Sequence, residues 1–285
     1  MSSTLTAPPR PFAIAWPWLD RGRRFSWPRM LLLVSLLAPG LVLLALLADG
    51  ALGAEPWKAA MREAGSWALW GLLLTMLVTP LRWIADAPKI ATLRRMVGLV
   101  ALGYGVLHLT LYTGHLAWDL RAVVVEIATR LYLTIGFAVL LGLGVLGWTS
   151  TDGWQARLGR GWKKLHRLAY PLTALAVLHA FLQSKAGADN AVLMAGLFVW
   201  LMLWRQLSGR WRADALALAL LAPVAAIGAA AVEWAWYAAA TNLPAVRILA
   251  ANLDLGAGLR PAQIVLIAGL AMAALPLGRR VLRPA

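Results

Sequence analysis

Four histidines are the only imidazoles in 285 residues, and two of them, His166 and His179, lie thirteen residues apart in the apolar stretch GWKKLHRLAYPLTALAVLHAFLQ. A third, His108, sits inside another apolar run, RRMVGLVALGYGVLHLTLY, and His115 follows it seven residues later. An ionisable side chain within a membrane-length apolar segment is costly and points to function. His108 is thirteen residues beyond Arg95 and His179 is fifteen beyond Lys164. At a rise of 1.5 Å per residue both therefore lie about 20 Å from a basic loop. Two neutral imidazoles at one depth on different helices are what axial ligation of a b-type haem requires. The plainer alternative for each is a hydrogen bond to a neighbouring helix.

His166 is less easily placed. Thirteen residues rotate an ideal helix so that His166 and His179 point about 140° apart, although Pro171 between them permits a kink that shifts the register. As a ligand, His166 would find no histidine opposite it. The position at its depth is Arg95 or Met96, and Met96 is the candidate partner. The alternative role is contact with a haem propionate or a lipid phosphate. His115 shares a helix face with His108 but falls at the rim, in water or headgroups. Arg94, Arg95 and Arg167, with Lys163 and Lys164, could neutralise propionates or a flavin phosphate, and as loop residues they equally serve topology.

The elements that must carry these residues are membrane helices. The chain is 61% hydrophobic and 14% charged, and its apolar runs repeatedly reach the roughly 20 residues that span a bilayer. Alternation of apolar and polar residues over ten-residue segments is absent, which disfavours a transmembrane barrel. Eight spans are expected, near 30–48, 67–84, 96–113, 131–148, 165–182, 191–204, 215–237 and 264–277. With the N-terminus in the cytoplasm, 20 of the 27 Lys and Arg fall in cytoplasmic tails and loops and seven in outer loops, as the positive-inside rule demands. The net charge of +15 is thereby a topology signal and not a nucleic-acid footprint. Residues 1–28, rich in Pro, Arg and Trp, are expected to form a cytoplasmic tail. A cleaved signal peptide is the competing reading, with small residues at 51–54.

With no cysteine, the chain has no disulfide, iron–sulfur cluster, thiolate metal site or covalent haem attachment. No carboxylate falls in the middle of a span. Glu126 and Asp214 sit at span starts and Glu233 near a span end, which weakens a proton pump or ion-coupled transporter. Gly103, Gly105, Gly136, Gly142 and Gly144 would let a flat macrocycle approach the backbone. The run GLGVLG lies inside an apolar helix and is not a nucleotide loop. No Walker motif, nucleophile elbow or HExxH zinc site is present, and no internal repeat is evident. Trp67, Trp83, Trp118, Trp148, Trp162, Trp204 and Trp211 fall near span ends, as interfacial anchors do.

RRMVGLVALGYGVLHLTLY, LYLTIGFAVLLGLGVLGWTS and RLGRGWKKLHRLAYPLTALAVLH together resemble the YedZ/MsrQ family, the membrane haem subunit of a periplasmic methionine sulfoxide reductase system, over about residues 30–212. The resemblance implies an all-α transmembrane bundle with a six-helix haem-binding core at 29–212, preceded by the tail and followed by two additional spans at 213–285. It further implies haem b held by His108, His166 and His179, with His115 outside the pattern, and FMN. The expected role is an electron-transfer subunit of the bacterial inner membrane. Electrons from membrane quinol would pass to a periplasmic molybdopterin-type partner that repairs oxidised methionine. A ferric-reductase or oxidase-like protein acting on another acceptor is the first alternative, and a non-redox transporter or assembly subunit the second.

Overall fold

The computed structural model describes residues 16–19, 22, 24–184, 187–254, 256 and 258–282. Most of the expected cytoplasmic tail lies outside the described residues, as does Lys185. The described chain is helical throughout, with one isolated β-bridge, Leu19 to Phe25, before the first helix.

The long helices are α1 (Trp27–Ala48), α2 (Pro56–Ile84), α3 (Arg94–His115), α5 (Leu131–Trp148), α8 (Ala169–Gln183), α9 (Asp189–Gln206), α10 (Ala215–Ala240) and α12 (Pro261–Leu282). Short helices connect them: α4 (Leu120–Thr129) between α3 and α5, α6 (Asp152–Leu158) and α7 (Arg160–His166) between α5 and α8, and α11 (Ala245–Ala251) between α10 and α12. Among the described residues, seven segments are long and apolar enough to cross a membrane, and their windows are only 11% to 44% buried within the protein. Such apolar surface is at home in lipid. The chain is a multi-pass membrane protein.

One expected span differs. Residues 191–204 are helical within α9, but its 18 residues include Asp189, Asn190, Arg205 and Gln206, which lower its hydropathy below that of the seven. α9 packs on α2, α8, α10 and α12 and buries Trp200, Leu201 and Trp204, so protein surrounds it, whereas the α1 window is only 11% buried. Trp204, expected as an interfacial anchor, is 1% exposed and donates to the Arg212 carbonyl.

The fifth expected span is broken. Arg167 and Leu168 separate α7 from α8, one turn before Pro171. Proline removes the bond that the carbonyl four residues back would receive and crowds that carbonyl. The carbonyl is that of Arg167, which accepts from the Tyr170 amide at 3.1 Å. The interruption expected at Pro171 is displaced towards His166, and Pro171 itself sits in the first turn of α8, where no N–H is needed.

α2 packs most extensively on α3, and α5 on α8. α3 also meets α5, and α2 meets α8, whereas α3 and α8 do not pack closely on one another. α9, α10 and α12 pack together and share one continuous apolar core with α2, α5 and α8. Glu233, expected near a span end, is 0% exposed on α10. It accepts from Arg260 at 2.5 Å and from the Asn252 side chain at 2.8 Å, which is how a buried charge is tolerated.

Candidate functional site

His108 on α3 and His179 on α8 face each other across the gap between these helices. Their ring centroids are 6.2 Å apart and their planes cross at 85°. His108 Nδ1 lies 2.7 Å from the Met61 carbonyl oxygen on α2, and His179 Nδ1 lies 2.7 Å from the Tyr132 carbonyl oxygen on α5. A carbonyl only accepts, so each Nδ1 carries the proton and each Nε2 of a neutral ring keeps its lone pair. A backbone partner on Nδ1 is the usual way a ligating imidazole is oriented.

The two halves are built alike. Each histidine binds a carbonyl 47 residues before it. Each ring also lies against a glycine one turn beyond that carbonyl. A β-carbon on Gly65 would come within 2.9 Å of His108 Nδ1, and one on Gly136 within 2.7 Å of His179 Cε1. Met61, Gly65 and His108 thus recur as Tyr132, Gly136 and His179, each 71 positions later. The chain carries a repeat in the geometry of two helix pairs that identities along the sequence conceal. Gly65 and the Met61 carbonyl escaped the reading by residue type; the signal that finds Gly65 is the common interval between each glycine and its histidine. Among the expected macrocycle-facing glycines, Gly136 instead seats a ring and Gly142 meets Leu172, while a β-carbon on Gly103 or Gly144 would meet nothing within 4 Å.

His166 belongs to another environment. At the end of α7 it stacks on Trp162, with centroids 3.9 Å apart, and its Nε2 is 3.2 Å from the Thr149 hydroxyl. Trp162, expected as an interfacial anchor, also donates its indole N–H to the Thr149 carbonyl at 2.8 Å. Continuing the 71-residue register, the counterpart of His166 is Arg95, which binds Asp152 at 2.5 Å. Met96 is buried on α3, and His166 turns its Nε2 to Thr149. Arg94 donates to the Thr79 hydroxyl at 2.8 Å, and Arg167 is exposed. His115 closes α3 beyond the paired site and is exposed.

Beside the pair, Tyr104 lies one turn before His108. Its hydroxyl accepts from the Gly40 amide and donates to the Leu36 carbonyl, both at 2.8 Å. These are the two groups an undisturbed α1 would pair with each other. Pro39 stands in the same turn, where a helix readily accepts an inserted group.

Residues 64–177 match the family described as the ferric reductase like transmembrane component. Among curated proteins, the chain is 41% identical over 167 residues to the protein-methionine-sulfoxide reductase heme-binding subunit MsrQ of Xanthomonas axonopodis pv. citri, covering 56% of this chain and 75% of that one. It is 40% identical over 163 residues to the subunit of the same name from Caulobacter vibrioides, covering 56% of this chain and 78% of that one. No solved structure matches the chain. With relatives at this identity matched over three quarters of their length, and with the paired histidines set in equivalent helix hairpins inside the shared region or at its edge, the chain belongs to the YedZ/MsrQ family.

Proposed function

We propose that the protein is a membrane electron-transfer subunit in which His108 and His179 hold one b-type haem between α3 and α8. The observation that carries this reading is the 6.2 Å separation of two imidazoles whose Nδ1 atoms are both bound to carbonyls. With each Nδ1 proton taken by a carbonyl, the two remaining Nε2 lone pairs would hold a metal between α3 and α8. Among the described residues no group of three or more His, Asp or Glu could hold a bare ion. Two imidazole nitrogens with no further side-chain ligand would suit a metal whose other positions belong to a macrocycle. α3 and α8, which carry the two imidazoles, do not pack closely on one another.

When bound, haem iron supplies one-electron chemistry by alternating between ferric and ferrous states. The chain's own residues do the positioning. Met61 and Tyr132 fix the ring orientations, and Gly65 and Gly136 give the rings room. The matched relatives are named as heme-binding subunits of a protein-methionine-sulfoxide reductase. On that basis we assign the acceptor as a methionine sulfoxide reductase; that it is periplasmic and molybdenum-containing, and that the donor is membrane quinol, rests on the family resemblance. The protein would lie in the inner membrane with its N-terminus cytoplasmic and α4 on the periplasmic side.

Residues 29–212 form the haem-binding core in this reading, and α10 and α12 of the following segment buttress α9. FMN rests on the family resemblance. Of its candidate contacts Arg95 is engaged by Asp152 and Arg94 by Thr79, which leaves Arg167, with Lys163 and Lys164, exposed. His166 lies apart from this pair, its Nε2 beside the Thr149 hydroxyl and its ring stacked on Trp162.

The test is a dithionite-reduced minus oxidised spectrum of purified protein with its His108→Ala, His179→Ala and His166→Ala variants. A b-type haem band lost in the first two and kept in the third is expected. Absence of the band from the wild type refutes the redox reading, and full haem in both of the first two variants refutes the ligand assignment.

A further inference from the structure

The end of the bundle nearest the histidine pair is closed by α4, and its polar contacts converge on one carboxylate. Tyr112, one turn beyond His108 on α3 and 9% exposed, donates its hydroxyl to Glu126 Oε2. Glu126 Oε1 accepts from Arg130 Nη2 at 3.0 Å, and Arg130 Nη1 donates to the Tyr132 hydroxyl at 3.2 Å. The main-chain carbonyl of Tyr132 is the group that receives His179 Nδ1. Glu126 therefore joins the helix bearing His108 to the residue that orients His179. The turn into α4 is costly, because Ala117 and Trp118 adopt φ of 52° and 64°, where residues with a β-carbon are disfavoured. Trp118 is steadied there by an edge contact with Trp57, and the Thr134 hydroxyl ties α5 to the Ile127 carbonyl at 2.6 Å.

An exposed ion pair such as Arg130 with Glu126 contributes little by itself. The part-buried Tyr112 hydroxyl is different, since without Glu126 it loses its acceptor. We infer that Glu126 is a positioning residue for the paired-histidine site, holding α4 closed so that Tyr132 and α3 keep the two imidazoles at their mutual angle. This inference rests on the haem reading above. Glu126 touches neither ring. It acts through Tyr112 on one side and through Arg130 and Tyr132 on the other.

The experiment compares the ferric electron paramagnetic resonance spectrum and the midpoint potential of purified wild type, Glu126→Ala and Tyr112→Phe, with haem content measured for each. Low-spin ferric signals respond to the angle between axial imidazole planes, which a general loss of stability does not reset. The expected result is a shifted or split low-spin signal in both variants, with haem retained. Tyr112→Phe keeps the charge of Glu126, so a spectrum that moves in Glu126→Ala alone records charge and overturns the positioning role. Spectra identical to wild type in both variants also overturn it. A wild type without haem fails the haem reading itself, whereas haem-replete variants with unmoved spectra fail only this inference.

Discussion

Gly136 lies so close beneath His179 that a β-carbon would stand 2.8 Å from Nδ1 and 3.1 Å from Nε2 of its ring. No real β-carbon makes such contacts, so Gly136→Ala must displace the imidazole or the helix beneath it. The expected outcome is a several-fold fall in bound haem with helical content preserved, measured by pyridine haemochrome and circular dichroism. Gly65→Ala should do the same through His108. Gly103→Ala and Gly144→Ala meet nothing within 4 Å and should retain haem. Those two controls should also gain up to about 1 kcal/mol of helix stability.

The crossing of the His108 and His179 planes at 85° predicts a spectroscopic identity for the wild type. Near-perpendicular axial imidazoles give a highly anisotropic low-spin ferric signal, whereas parallel ones give a conventional rhombic signal. Low-temperature electron paramagnetic resonance of the oxidised protein should show the former, and a rhombic signal would contradict the ring geometry.

Tyr104→Phe removes the hydroxyl that stands between Gly40 and Leu36. Because those two groups can then bond to each other along α1, the net cost is about 1 kcal/mol, that of an ordinary hydrogen bond. Bound haem should be unchanged. The effect should appear as a weaker hold on α1, which is 11% buried over its span window, and it can be read by the labelling rate of a cysteine introduced at Leu36.

Glu233→Ala strands Arg260 and Asn252 in the α10–α12 region, where Glu233 has no exposure. Breaking a buried pair from one side costs about 3 to 5 kcal/mol. Replacing both charges, as in Glu233→Leu with Arg260→Met, should recover most of the loss. Thermal unfolding in detergent checks both, and equal destabilisation by the single and double variants would show that the pair matters for something other than charge burial.

Residue type and order alone determined that this is a helical membrane protein, because the length of an apolar run decides where a chain can leave water. They also singled out His108 and His179, since imidazoles inside such runs at equal depth are rare and expensive. The expected spans were legible for the same reason, down to α9, where end residues dilute an otherwise apolar helix that protein covers. What could not be read there depends on contacts between distant parts of the chain. The carbonyls of Met61 and Tyr132 carry no side-chain signature, and the room that Gly65 and Gly136 leave for a ring exists only once α2 meets α3 and α5 meets α8. Spacing already set His166 apart from His179, but only the interruption before Pro171 and the stack on Trp162 turn it to Thr149. Glu233 looked peripheral, and only the folding of α11 and α12 over it made it the fully buried acid of the described residues. Hydropathy acts along the chain and is written in it, while the orientation of a ring or the pairing of a charge is decided by whichever helix the tertiary structure brings alongside.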